Sequence, residues 1–239
     1  MTQAPSPEFK RIALALTFAV FAGAFAITPA MAQSQQVEQK IMAIKQAQDA
    51  NKAKLAQYTW TETESIGIKG DVKDTKTYQV QMVNGKPQKT LVNDQKAQSG
   101  GREGRVKERV VDKKKEEYQE YGQSISALAK QYTTPNSEAL MAAKQAGNIS
   151  LVPGSGTVSL VIKNYVKQGD SVTMVVSEQT HAPVSVQVNS YLNDPKDAVS
   201  IAAQFAQLPD GTNHVASTTV NGVSKQLTVN DLNSNYQKQ

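Results

Sequence analysis

Residues able to do chemistry are sparse in this chain. Its two histidines, His181 and His214, are the only imidazoles. Either could be the base of a Ser-His-Asp arrangement, since such triads are defined by geometry and not by chain order. His181 lies in a turn before Pro183 and His214 follows a hairpin turn, settings that predict ordinary surface histidines. The pairs Glu62/Glu64 and Glu116/Glu117 could act as acid and base on a glycosidic bond. Paired glycosidase carboxylates usually come from separate segments held at a set separation, so neighbours two apart on a strand predict solvated surface. There is no G-x-S-x-G elbow, H-E-x-x-H, P-loop, S-x-x-K or calcium loop. With no cysteine there is no thiolate nucleophile, thiolate metal site or disulfide. The sequence therefore predicts a non-enzymatic protein without catalytic residues, cofactor or metal.

Binding chemistry has more to work with. Arg102, Arg105, Lys107, Arg109, Lys113, Lys114 and Lys115 form a basic run, but six acids interleave with them between residues 102 and 120. Such a run predicts a solvated helix face laced with i,i+4 pairs and not a nucleic-acid surface; its net-positive early half could at most attract anionic headgroups. Tyr118, Tyr121 and Tyr132 share one stripe and predict a core that keeps polar tips. If the helices stand off the sheet, Trp60, Tyr78, Met82 and Met174 would line a cleft for an apolar ligand; otherwise they are simply core.

Those residues need elements to position them. The first segment is a secretory signal peptide: Lys10 and Arg11, an apolar run from Ile12 to Ile27, and the small-x-small site Ala30-Met31-Ala32. It predicts cleavage between Ala32 and Gln33 and export to the periplasm through the general secretory route. Residues 1–32 hold four of the five Phe, and the precursor's charge of +5 falls to +4 without them. No later stretch is apolar enough to span a bilayer.

Residues 33–239 read as one α+β domain. Residues 33–57 predict an amphipathic helix on Val37, Ile41, Ile44, Leu55 and Tyr58, with Gln48 and Asn51 making its middle wet or turned toward something polar. Residues 58–93 alternate as strands, with turns at Gly70-Asp71 and Asn84-Gly85 and Pro87 on an edge. A polar loop and two helices fill 94–147, the second opened by Thr134-Pro135 and closed by Gly147. Residues 148–232 predict an antiparallel meander. Its apolar faces are Val158, Leu160, Ile162 and Val166; Val172, Met174 and Val176; Val184, Val186, Val188 and Leu192; and Val199, Ile201, Ala203 and Phe205. A last pair carries Val215 on one strand and Val223, Leu227 and Val229 on the other, with a turn at Asn221-Gly222; 233–239 is read as a polar tail. Strands with one apolar face and no intervening helices exclude βαβ folds. The expected architecture is a strongly curved antiparallel sheet, an open half-barrel of eight to ten strands, with about three helices packed on one face.

Several phrases carry a resemblance: Gln57-Tyr58-Thr59-Trp60-Thr61-Glu62, Asn164-Tyr165 with Gly169-Asp170, Tyr191-Leu192-Asn193-Asp194-Pro195-Lys196-Asp197, Leu208-Pro209-Asp210-Gly211-Thr212 and Asn233-Ser234-Asn235-Tyr236. Together they resemble a group of uncharacterised exported bacterial proteins, which implies no activity. The element order separately looks like the fold of the periplasmic outer-membrane lipoprotein carriers (Lol-type) and the related envelope-stress sensors. That likeness implies a half-barrel lidded by helices that takes acyl chains, although those cavities are rich in aromatics where the mature chain has one Phe and one Trp. The expected function is a periplasmic carrier with a lipid or lipoprotein partner. The alternative is an envelope protein-interaction or sensor module with a filled core.

Overall fold

The computed structural model describes residues 29–84, 86–96, 105–133 and 137–239. The expected signal run Ile12 to Ile27, Gly85, Gly100-Gly101 and Thr134-Pro135 lie outside them. Helix α1 (Pro29–Leu55) carries the expected Ala32/Gln33 cleavage point in its first turns. Strands β1 (Tyr58–Ile68), β2 (Asp71–Val83) and β3 (Lys86–Lys96) follow as a meander. Helices α2 (Arg105–Thr133) and α3 (Ser137–Gln145) come next. The remainder is β4 (Ile149–Pro153), β5 (Thr157–Lys163), β6 (Ser171–Ser177), β7 (Pro183–Tyr191), β8 (Ala198–Gln207), β9 (Asn213–Gly222) and β10 (Leu227–Lys238).

All ten strands form one antiparallel sheet in the order β3-β2-β1-β10-β9-β8-β7-β6-β5-β4. It is curved and open, the half-barrel that the patterning predicts. α2 and α3 carry the chain from the β3 edge to the β4 edge, and the long meander returns until β10 pairs with β1. The stretch 233–239 is thus no tail: residues 233 to 238 are the outer half of β10, paired with β1 from Glu62 back to Tyr58. Its polar composition hid it, because a strand recruited by a partner's backbone needs no apolar alternation of its own. The two edge strands both carry a proline, Pro87 and Pro153, and β3 adds Lys86 and Lys89, features that discourage further strand addition.

Directly paired residues point to the same face, so the register builds the inner surface. One aliphatic row runs Ile162, Val172, Val188, Ile201, Val220, Val229 and Ile66 across seven strands. Val37 of α1 and Ala143 of α3 pack on this row near β5–β8, and Tyr121, Ile125 and Leu128 of α2 pack on Val199 and Leu227. Ile44 closes over Val158 and Val176. Each buried Val, Ile or Leu side chain here contributes roughly 1.5–3 kcal/mol.

Four local readings are corrected. Val166 lies not on β5 but in the loop after it, and Val184 is the extra residue at a β7 register shift and is exposed. The first hairpin turns on Lys69-Gly70, both at positive φ, one residue earlier than expected. Gly222 does not make a turn: it ends β9, buried, and the turn is Val223 to Gln226. A Cβ at Gly222 would meet the Tyr121 ring at 2.7 Å and lie closer still to Ile125 Cδ1. Glycine is there so that α2 can approach the sheet.

Candidate functional site

The inner face has two unlike halves. Over β4 to β9 it is aliphatic and filled by the helices. Over β1, β2, β3 and the outer part of β10 the same face carries Trp60, Glu62, Glu64, Lys76, Tyr78, Val80, Met82, Lys89, Leu91 and Asp231, by register. Among the described residues, the core clusters include no residue of β2 or β3, and from β1 only Ile66 and Ile68. Leu91 stays about half exposed at 51%.

Trp60 is held by a bulge. β10 has one residue more than β1 between the Thr61–Ser234 and Thr59–Gln237 pairs, and Asn235 takes φ 53° there. The kink sets Tyr236 against Trp60 at 5.4 Å between ring centroids, stacked, while Trp60 Nε1 donates to Asn233 Oδ1 at 3.1 Å. His214 lies 4.1 Å from the Tyr236 ring. Asn233 Nδ2 and the Tyr236 hydroxyl donate to the Val215 carbonyl, and His214 Nδ1 also lies 3.1 Å from it. His214 is therefore buried in an aromatic stack and is not the surface histidine its turn suggested. His181 sits in its turn at φ 56°. Burial raises the Tyr236 phenol, helped by the Glu62 charge.

Beside this stack lies a row of charge. Glu62 is buried and pairs with Lys89, whose ammonium also lies 5.7 Å from the centre of the Tyr78 ring. Glu64 faces Asp231 directly across β1–β10. Burial, then Glu62 and Glu64, push the Asp231 carboxyl up to about 6, with Lys89 opposing. Glu62 and Glu64 are accordingly not the solvated pair their spacing predicted, whereas Glu116 and Glu117 are exposed, Glu117 pairing with Lys225. The basic run from Arg102 to Lys115 has no described side chains.

The predicted cleft residues are divided. Trp60, Tyr78 and Met82 share the inner face of adjacent strands β1 and β2, around Val80, which is fully buried. Met174 is on β6, five strand positions from β1, about 24 Å along the sheet at ~4.8 Å per strand. It packs under α1 and is not brought to the other three. A depression of about 440 Å³ lies at another site, lined by Gln168, Gly169, Asn189, Ser190, Tyr191 and Pro195.

Sequence reasoning missed the polar pins that tie the helices, and the start of β1, to the turns of the sheet. Tyr132 and Tyr121 of α2 donate to Asp170 at 2.6 Å and to Asp197 at 2.7 Å. Tyr58 donates to Asp210 at 2.7 Å. Burial and the Asp197 bond push Tyr121 up to about 12, and burial and the Asp170 bond raise Tyr132 further. Hydrogen bonds from Thr212 and Tyr58 hold Asp210 well below the usual carboxylate range. Each aspartate belongs to one of the turn phrases quoted above, so those phrases serve as docking points for tyrosines. Asn51 completes the set: it donates to the Asn213 carbonyl and accepts from the Asn213 amide, each at 2.7 Å. The polar middle of α1 indeed faces something polar.

No family model and no curated protein matches the chain. Solved structures similar to it include a Vibrio parahaemolyticus domain assigned to outer-membrane lipoprotein sorting, at 10% identity and TM-score 0.45, covering 85% of this chain and 93% of that one. A DUF1329 family protein from Desulfovibrio piger matches at 10% identity and TM-score 0.41, covering 87% and 93%. A LolA superfamily protein from Nitrosomonas europaea matches at 7% identity and TM-score 0.30, covering 87% and 94%.

Proposed function

We propose that the protein is a non-enzymatic binding or carrier protein of the periplasm, which holds an acyl chain of a lipid or lipoprotein on the β1–β3 half of its inner face. The observation that carries this reading is the unequal cover of the sheet. Helices fill the β4–β9 half, while Tyr78, Met82 and Leu91 line the other half, partly open, beside buried Trp60. An acyl chain laid there would extend the apolar surface that the helices already cover. Among the described residues no helix is long and apolar enough to cross a membrane, so α1 to α3 are read as cover and not as spans. Exported protein, isolated without detergent, is extracted with organic solvent and the extract examined by mass spectrometry. Stoichiometric acyl species, and uptake of a fluorescent fatty acid by the stripped protein, are expected. Repeated absence of both removes the carrier reading. N-terminal sequencing of the same material is expected to begin at Gln33.

A second reading, an envelope interaction or sensor module with no small ligand, draws on a different observation. Trp60 is already 93% buried against Tyr236, so part of the wall is satisfied by the chain's own residues. A consistent protein partner recovered by in-cell crosslinking, with no bound acyl species, is the result expected of this alternative.

A further inference from the structure

The sheet is two meanders joined along one pair of strands. β1–β3 come from the N-terminal half and β4–β10 from the C-terminal part, and among the described residues the β1–β10 pairing alone makes them continuous. At the middle of that seam two carboxylates stand opposite each other on the inner face, Glu64 on β1 and Asp231 on β10. Like charges directly opposed in an antiparallel pair destabilise it. Asp231 Oδ1 is buried and accepts no hydrogen bond from the described residues.

The surroundings do not cancel this charge. Glu62, the next residue on the same face of β1, adds a third carboxylate, and Lys89 from β3 is committed to it. From β2, Lys76 faces Glu64 by register but pairs with Asp74, and Tyr78 contributes no charge. From β9, Asp231 faces Thr218, which is uncharged. With Asp74 counted, four acids meet two lysines at this point, Lys76 attracting Glu64 as well as Asp74 and Lys89 serving Glu62 first, so an excess of negative charge remains that a bound proton reduces.

We propose that the β1–β10 seam is a proton-responsive joint, tightened when Asp231 carries a proton and loosened when it is ionised opposite Glu64. The rise of Asp231 to about 6 puts the transition in a mildly acidic range. Ionisation above it places two facing negative charges in the one ladder that, among the described residues, ties the β1–β3 unit to the rest of the sheet.

Amide hydrogen exchange of the mature protein, followed by mass spectrometry and corrected for intrinsic exchange rates, tests this at about pH 5 and about pH 7.5. Protection of β1 and β10 amides is expected to fall roughly tenfold between them. Asp231→Asn should hold the higher protection at both values, and Glu64→Gln should reduce the fall independently. Equal wild-type protection at the two pH values overturns the proposal. So does a fall that survives undiminished in both variants.

Discussion

The Tyr132 hydroxyl donates to Asp170 at 2.6 Å, and through that bond helix α2 grips the loop between β5 and β6. Asp170 is almost fully buried and also accepts the amides of Tyr165, Val166 and Lys167. One carboxylate thus folds the loop around itself and presents its last lone pairs to a helix that is distant in sequence. The same tyrosine lies 2.8 Å from Ser190 Oγ on β7.

Tyr132→Phe keeps the ring and removes the donor. Hydrogen bonds to charged groups contribute about 1.5–3 kcal/mol. Urea unfolding should show a loss in that range with an unchanged m-value. Asp170→Ala should cost more, because four donors lose their acceptor at once.

Gly222 and Ile125 test how closely α2 lies on β9. Gly222→Ala forces a methyl into Ile125 and Tyr121, an overpacking change that costs roughly 1–3 kcal/mol. Ile125→Val removes the Cδ1 atom that the new Cβ meets most closely. The double variant should therefore be less destabilised than the sum of the single ones. Strict additivity in a double-mutant cycle would show that the two residues are not in steric conflict.

How much of this was legible in the sequence follows from where the information is stored. The strands of β5 to β8 announce themselves because a one-faced core writes period-two alternation into Val, Leu and Ile. The outer half of β10, Asn233 to Lys238, does not, since Lys238 pairs with Tyr58 through backbone bonds that any sequence can make. Asn221-Gly222 misled for a related reason: the dipeptide that favours a tight turn also suits a close helix contact. For the candidate site, adjacent Trp60, Tyr78 and Met82 were readable from alternation on β1 and β2. The distance of Met174 was not, because strand order is a tertiary property. The burial of Glu62 was equally hidden, for its lysine comes from a different strand.

Substitutions on and away from the proposed binding face should separate binding from folding. Met82→Lys places a charge on the half proposed to hold the acyl chain. It should reduce fluorescent fatty-acid uptake about tenfold or more while leaving the unfolding free energy within about 0.5 kcal/mol, as expected of a partly exposed position. Val184→Lys, at an exposed position on β7, should change neither. Equal uptake by both variants would remove the β1–β3 surface as the binding site.

Asp231 also sets a sign for the pH dependence of stability. Its folded carboxyl titrates near 6, above the ~3.9 of an unfolded aspartate. Between those values the folded chain binds more protons than the unfolded one, so stability falls as pH rises through the window. It is greatest, for this group, below about 4 and levels off above about 6. The side chain keeps some solvent contact, so screening reduces the full linkage to about 1–2 kcal/mol. Asp231→Asn carries no titrating proton and should flatten this part of the profile. The variant should be more stable than the wild type near neutral pH and should lose that advantage by about pH 4, where Asp231 is protonated in both states. Unfolding midpoints measured in urea across this range provide the check. A variant that is less stable near pH 7 would mean that the ionised Asp231 carboxylate makes a favourable interaction, contrary to its unpaired, buried Oδ1.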